Sequence, residues 1–158
     1  MMKKLEILIA SPPKIDGLRF RKFAGESDFP AMLHIIEAGA IADQEKIRDT
    51  LDDLKHAYTH LRNCDPYQDM IIAEINGEPI AYSRVEWWQE EDPQVRVYGY
   101  FINLLPEWRS QGIETAVIGW SEARLRDIAA EHPREMPKYF QIGSSESKVW
   151  LNEIVESL

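Results

Sequence analysis

The chain has 158 residues, 44% of them hydrophobic, and a formal net charge of −9. That length and apolar content make one ordinary domain with its own core and exclude a disordered chain. The acidic balance argues against nucleic acid and anionic membrane surfaces as partners, because both select basic patches.

Cys64 is the single cysteine, so no internal disulfide can form and a reducing, cytoplasmic setting is expected. Lys3-Lys4 ahead of a short apolar run has the outline of a secretion signal. The run holds Glu6, however, and leads into Ser11-Pro12-Pro13 rather than a small-residue cleavage site. No stretch approaches the length of a membrane span.

Residues 1–17 read as an extended arm and 18–158 as the folded domain. Leu18-Arg19-Phe20-Arg21-Lys22-Phe23 alternates apolar and basic residues, the pattern of a half-buried strand. Glu26-Ser27-Asp28 followed by Pro30 is a helix start, with Met32, Ile35 and Ile36 facing inward and fraying near Gly39. Thr50 and Asp53 have capping-box spacing and open a second helix to about residue 61. Asp65-Pro66 marks a loop over residues 63–67, since a residue before proline avoids helix. His56 and His60 stand at i, i+4, but no third ligand is in sight, so no metal site is expected.

Residues 70–75, Asn76-Gly77 and residues 78–88 read as a hairpin, because Asn-Gly supplies the two positive-φ positions of a type I′ turn. Residues 89–94 read as an acidic loop, and from Val95 a third antiparallel strand runs to Leu105. Trp87 and Trp88 put one ring on each face. A polar loop through Gly112 precedes a helix with Ile113, Ala116, Val117, Trp120, Ala123 and Ile128 on one face, ending at His132-Pro133. Residues 138–143 form a further strand. The helical crossover makes it parallel to its predecessor. Ser144 to Ser147 offer caps for a last helix bearing Val149, Trp150, Ile154, Val155 and Leu158.

The organising stretch is Tyr98 to Ala116. An aromatic and branched strand stops at Pro106, which cannot donate to a ladder. Arg109-Ser110-Gln111-Gly112 then opens a helix whose free N–H groups and dipole favour an anion. Pro106-Glu107-Trp108-Arg109-Ser110-Gln111-Gly112-Ile113-Glu114-Thr115-Ala116 resembles the acetyl-CoA motif of the GNAT superfamily of acyl-CoA-dependent N-acyltransferases, Arg/Gln-x-x-Gly-x-Gly/Ala after a strand end. Arg109 and Gly112 match it, and Glu114 stands where a second small residue belongs.

The resemblance covers residues 18–158. It implies an α/β (α+β) fold: a mixed sheet with antiparallel strands, a parallel pair that splays apart, and helices on both faces. It also implies acetyl-CoA as donor, an amine as acceptor, direct attack of that amine on the thioester, and no metal. Backbone groups of Asn103, Leu104 and Leu105 would hold the pantetheine arm. The amides of Ser110, Gln111, Gly112, Ile113, Glu114 and Thr115 would hold the pyrophosphate, with Arg109 lending charge.

Such chemistry needs a base, oxyanion donors and an acid for the leaving thiolate. The usual base position on the strand before Pro106 is filled by Tyr98, Tyr100 and Phe101. The tyrosine acid of the last helix corresponds to Val155, and Lys148 stands where an asparagine is usual. Glu86 is the substitute base and Tyr100 a candidate donor; an outward strand carboxylate and a packed tyrosine are the plain alternatives. His34, a lone histidine on a helix face, is read as structural. Glu114 is ordinary as a first-turn carboxylate. Facing the pyrophosphate, it would repel by roughly 3 kcal/mol.

The chain stops within the last helix, where the family adds a Gly-Phe pair and two strands. This suggests a domain lacking its terminal strands, the first of a tandem pair, or one that pairs its open sheet edge with a partner domain or a second copy. Three readings follow: an N-acyltransferase, a degenerate GNAT-like domain that supports an active partner, or a phosphate-ligand sensor using the same loop.

Overall fold

The structure is a computed structural model and describes residues 5–46, 49–143 and 150–153. Its strands lie side by side in chain order: β1 (Glu6–Ile7), β2 (Leu18–Arg21), β3 (Met70–Ile75), β4 (Glu78–Glu91), β5 (Gln94–Leu104) and β6 (Lys138–Ile142). Every neighbouring pair is antiparallel except β5 and β6, which are parallel. Two residues of the expected arm therefore join the sheet, as Glu6 and Ile7 pair with Arg21 and Phe20.

Helices cover both faces. α1 (Phe29–Ala42) and α2 (Leu51–Tyr58) lie on one, and α4 (Ile113–Ala130) lies on the other. Strand alternation assigns the faces: Ser83 meets Ser121 of α4, while its neighbours Tyr82 and Arg84 lie with Tyr58 and Ile36. The core joins Met32 and Ile35 of α1 to Ile71, Tyr82, Ile102, Val117 and Leu125, all buried. Each such side chain contributes about 1.5–3 kcal/mol relative to exposure.

Several boundaries moved for identifiable reasons. Asn76 and Gly77 take φ of 51° and 86°, as a type I′ turn requires. The acidic segment read as a loop instead extends the hairpin, with Gln89, Glu90 and Glu91 opposite Arg96, Val95 and Gln94. Polar composition there reflects solvent on both sides, not a break in pairing. Thr50 and Asp53 form the expected capping box, but α2 ends at Tyr58, where the Thr59 hydroxyl donates to His56 O. Within the expected loop, Asp65 caps a single turn, α3 (Pro66–Asp69), by accepting from Tyr67 N–H.

Asp28, the last residue of the Glu26-Ser27-Asp28 helix start, stands at the N-cap of α1 but makes no side-chain cap bond. Its carboxylate instead takes two hydrogen bonds from buried Arg21 and one from Ala24 N–H. A buried guanidinium that also bonds Glu74 claims the carboxylate ahead of the amides of the helix start. The last helix, with Lys148 and Val155, falls mostly outside the described residues; 150–153 are helical, and Leu151 is buried in the core. No helix among the described residues is long and apolar enough to cross a membrane.

Candidate functional site

The loop after β5 is built from backbone. Pro106–Trp108 makes one turn of 3-10 helix, Ser110 sits at φ 63°, and Gly112 at φ 92° sets the start of α4. A left-handed glycine carries no capping side chain, and α4 has no side-chain cap. The first helical bond to return is Ala116 N–H to Gly112 O at 3.3 Å. The amides of Ile113, Glu114 and Thr115 consequently have no partner within the helix, at its positive end. Ser110, Gln111 and Thr115 are exposed and Ile113 is buried. The Gln111 side chain folds back to donate to Glu107 O.

Pro13 of the N-terminal segment packs on this loop. A Cβ at Gly112 would lie 3.2 Å from Pro13 Cβ, a tight contact that adds to the positive φ in favouring glycine there. Residues Leu8 to Pro13 and the outer face of α4, including Gly112, Thr115 and Gly119, border a groove of about 630 Å³.

Arg109, expected to lend charge to the loop, turns to α1. It donates to both oxygens of Asp43 at 2.9 and 3.1 Å, and its guanidinium lies 4.5 Å from the Trp150 ring. Trp150 Nε1–H also donates to Asp43. Sequence spacing gives no hint of this pairing, because Asp43 lies 66 positions away.

Glu114 turns neither toward the loop mouth nor to solvent. Its residue exposure is 2%, and Oε2 is buried without a hydrogen-bond partner among the described residues. It shares a helical face with Val117, Ile118 and Ser121, at i+3, i+4 and i+7, which are buried against the sheet.

The β5–β6 ladder runs from Arg96↔Lys138 to Tyr100↔Ile142 and closes with Gly143 N–H to Tyr100 O. Beyond that, β5 continues to Leu104 with no paired strand on this flank among the described residues. Alternation puts the backbone groups of Ile102 and Leu104 on the unpaired flank. Leu105, expected to offer its amide to a pantetheine arm, donates it to Ile80 O across the β4 side; Asn103 pairs with Tyr82 on that same ladder. Strand parity, which the sequence reading did not apply, thus sets Ile102 with Leu104 on that flank and Asn103 and Leu105 on the β4 side.

On the α1–α2 face, two adjoining cavities flank the end of β5. One, of about 120 Å³, is bordered by Gly39, Asp43, Asp49, Asn103, Leu104 and Arg109. The other, of about 320 Å³, is bordered by Asp49, Asp53, Tyr58, Arg84, Phe101 and Asn103. Asp49 and Asn103 belong to both.

The two catalytic candidates do not meet. Glu86 shares the α1–α2 face, where Arg62 and Arg84 lie 3.5 and 3.6 Å from its oxygens. Tyr100 points to the opposite face and donates to Glu122 of α4 at 3.2 Å. Burial, reinforced by the Glu122 charge, holds the Tyr100 hydroxyl well above its usual range, so it stays protonated. Cross-strand register explains the separation: Tyr100 pairs with Val85 and Gly99 with Glu86. His34 is exposed. No group of three or more His, Cys, Asp or Glu among the described residues is placed to hold a metal ion.

A mixed sheet with a parallel pair at one edge, a crossover helix opened by glycine, and helices on both faces is the GNAT superfamily fold. The chain is similar to a GCN5-related N-acetyltransferase from Sphaerobacter thermophilus, with 20% identity and a TM-score of 0.77 over 93% of this chain. It spans 44% of that longer chain. It is also similar to yncA, a putative acetyltransferase from Salmonella typhimurium solved with its cofactor acetyl-CoA, at 15% identity and TM-score 0.66 over 90% of this chain and 78% of that one. A third likeness is the aminoglycoside acetyltransferase meta-AAC0020 from an uncultured soil metagenomic sample in complex with sisomicin, at 11% identity and TM-score 0.59, covering 89% of this chain and 86% of that one. No protein-family model matches the sequence, and no curated protein matches it.

Proposed function

We propose that this chain is an acyl-CoA-dependent N-acyltransferase domain that binds acetyl-CoA and transfers its acetyl group to an amine. The observation that carries the reading is the start of α4, which has no side-chain cap and is opened by left-handed Gly112, following a strand whose outer flank has no paired strand beyond Tyr100 among the described residues. Amides of Ile113, Glu114 and Thr115 suit a pyrophosphate, and the unpaired groups of Ile102 and Leu104 suit an extended amide-bearing arm. The thioester supplies an activated carbonyl. The acceptor nitrogen forms the C–N bond as C–S breaks, losing one proton to a base, while the departing thiolate takes one up.

The acceptor belongs on the α1–α2 face, where Asp49 and Asp53 border the larger cavity and favour a cationic amine. Glu86 is the carboxylate on that face for the base role. Calorimetric titration with acetyl-CoA, followed by thiol release over an amine panel, tests the reading. Binding in the micromolar to low millimolar range is expected; no heat and no thermal shift at millimolar acetyl-CoA would remove it.

A second reading has its own observation. The Arg109–Asp43 pair holds away from the loop the one guanidinium that the motif supplies. A domain in which that pair is permanent would support a partner rather than catalyse. Binding of acetyl-CoA without turnover on any amine favours it.

A further inference from the structure

Building on the acyl-transfer reading, we propose that the acceptor is an amine that also bears a carboxylate, as an amino acid does, and that Arg84 receives that carboxylate in the α1–α2 cleft. Arg84 lies midway along β4 and its side chain is 14% exposed. The guanidinium is held between two rings, 4.9 Å from Phe101 and 5.4 Å from Tyr58. Nε and Nη1 are buried, and neither has a hydrogen-bond partner among the described residues. The nearest carboxylate, Glu86, lies 3.6 Å from Nη1, beyond hydrogen-bond reach, and is shared with Arg62.

Two other shielded arginines each bond a carboxylate directly, although Arg109 Nε is likewise buried without a partner among the described residues. Arg21 bonds Asp28 and Glu74, and Arg109 bonds Asp43. Leaving a buried guanidinium without acceptors is costly, and a fold with no use for the vacancy would fill it with a carboxylate or an apolar side chain. The Tyr58 hydroxyl in the same cleft is also buried without a hydrogen-bond partner among the described residues; burial pushes it up to about 12 against the pull of the neighbouring Arg84 charge, so it remains a donor.

A planar carboxylate accepts from a guanidinium and a hydroxyl together. At its other end the cleft carries acidic side chains, with Lys46 and Arg109 also on the border of the smaller cavity. Asp49 lies where it meets the smaller cavity beside Asn103 and Leu104, the strand end at which an acyl group would be delivered. The anion end is therefore set apart from the reacting end, and one ligand with both charges fits this polarity.

The test titrates the full chain, with and without acetyl-CoA, with L-leucine, L-phenylalanine and L-glutamine and with the corresponding amino-acid amides. At least one acid should bind about ten- to hundredfold more tightly than its amide. Arg84→Gln should abolish that preference and Arg84→Lys should keep part of it, with circular dichroism establishing the fold of each variant. Tyr58→Phe, which removes a single oxygen, should weaken acid binding several-fold and leave amide binding unchanged. Equal binding of acids and amides, binding of neither, or a preference that survives Arg84→Gln would overturn the proposal. The acetyl-CoA titration judges the parent reading by itself: acid preference without CoA binding removes acyl transfer but keeps the Arg84 site, and the reverse keeps acyl transfer alone.

Discussion

Arg109 and Asp43 form a two-pronged ion pair, at 2.9 and 3.1 Å, that ties the loop before α4 to the C-terminal end of α1. Both side chains are largely shielded, so the pair contributes more than an exposed bridge would. Asp43→Asn leaves one acceptor and orphans part of the guanidinium. It should lower stability by about 1–3 kcal/mol in urea unfolding. The same change releases Arg109 toward the loop, and acetyl-CoA affinity should rise. Lower affinity in the variant would show that Asp43 orients Arg109 productively rather than sequestering it.

Glu114 gives a prediction of the opposite sign. Its Oε2 is buried with no partner among the described residues, which costs more than the roughly 0.3–1 kcal/mol that a first-turn carboxylate gains from the helix dipole. Glu114→Gln should therefore raise the unfolding free energy by about 1 kcal/mol. Because the side chain faces the sheet, acetyl-CoA affinity should change less than about threefold. A tenfold gain in affinity would place the carboxylate at the loop mouth after all.

The hydroxyls of Ser83 and Ser121 lie 2.7 Å apart in the core, and Ser121 also donates to Val117 O. The two positions are therefore unequal. Ser83→Ala leaves Ser121 with its carbonyl partner and should cost about 0.5–1 kcal/mol. Ser121→Ala strands the buried Ser83 hydroxyl and should cost about 1–3 kcal/mol. A double-mutant cycle in thermal unfolding reads the difference; equal single costs would contradict the assigned pattern.

His132 accepts or donates at Nδ1 to the Tyr98 hydroxyl at 2.6 Å and packs on Trp87. Burial, then the positive charges of Arg96 and Lys138, lower its pKa from the usual 6.5. The neutral ring is thus the native form. Its contribution to stability is complete above 6.5 and is lost as pH falls through the depressed native value, because the unfolded chain binds the proton first. The imidazole resonance should titrate below the ordinary histidine value, and His132→Phe should flatten stability against pH over that window. A ring titrating at or above the ordinary value would refute the assignment.

The local alphabet of this sequence fixed a good deal unaided. Asn76-Gly77 dictated a hairpin because few other dipeptides accept two positive φ values. Pro106 and Gly112 dictated a strand stop and a helix start, and the resemblance built on them matched the fold. Thr50 and Asp53 capped a helix with no help from the rest of the chain. These features depend on residues within four positions of each other, where backbone sterics and hydrogen bonding leave little choice.

Tertiary packing decided what the charges do. Asp28 is drawn from a helix end to Arg21, Arg109 from the loop before α4 to Asp43, and Glu114 into the core, each by a neighbour or burial that pattern reading does not register. Parity across β4 and β5 put Glu86 and Tyr100 on opposite faces, and the meeting of α1 and α2 over Arg84 made a cleft of it. Charged groups act through space over several ångströms, so their partners depend on how the elements stack rather than on their order along the chain.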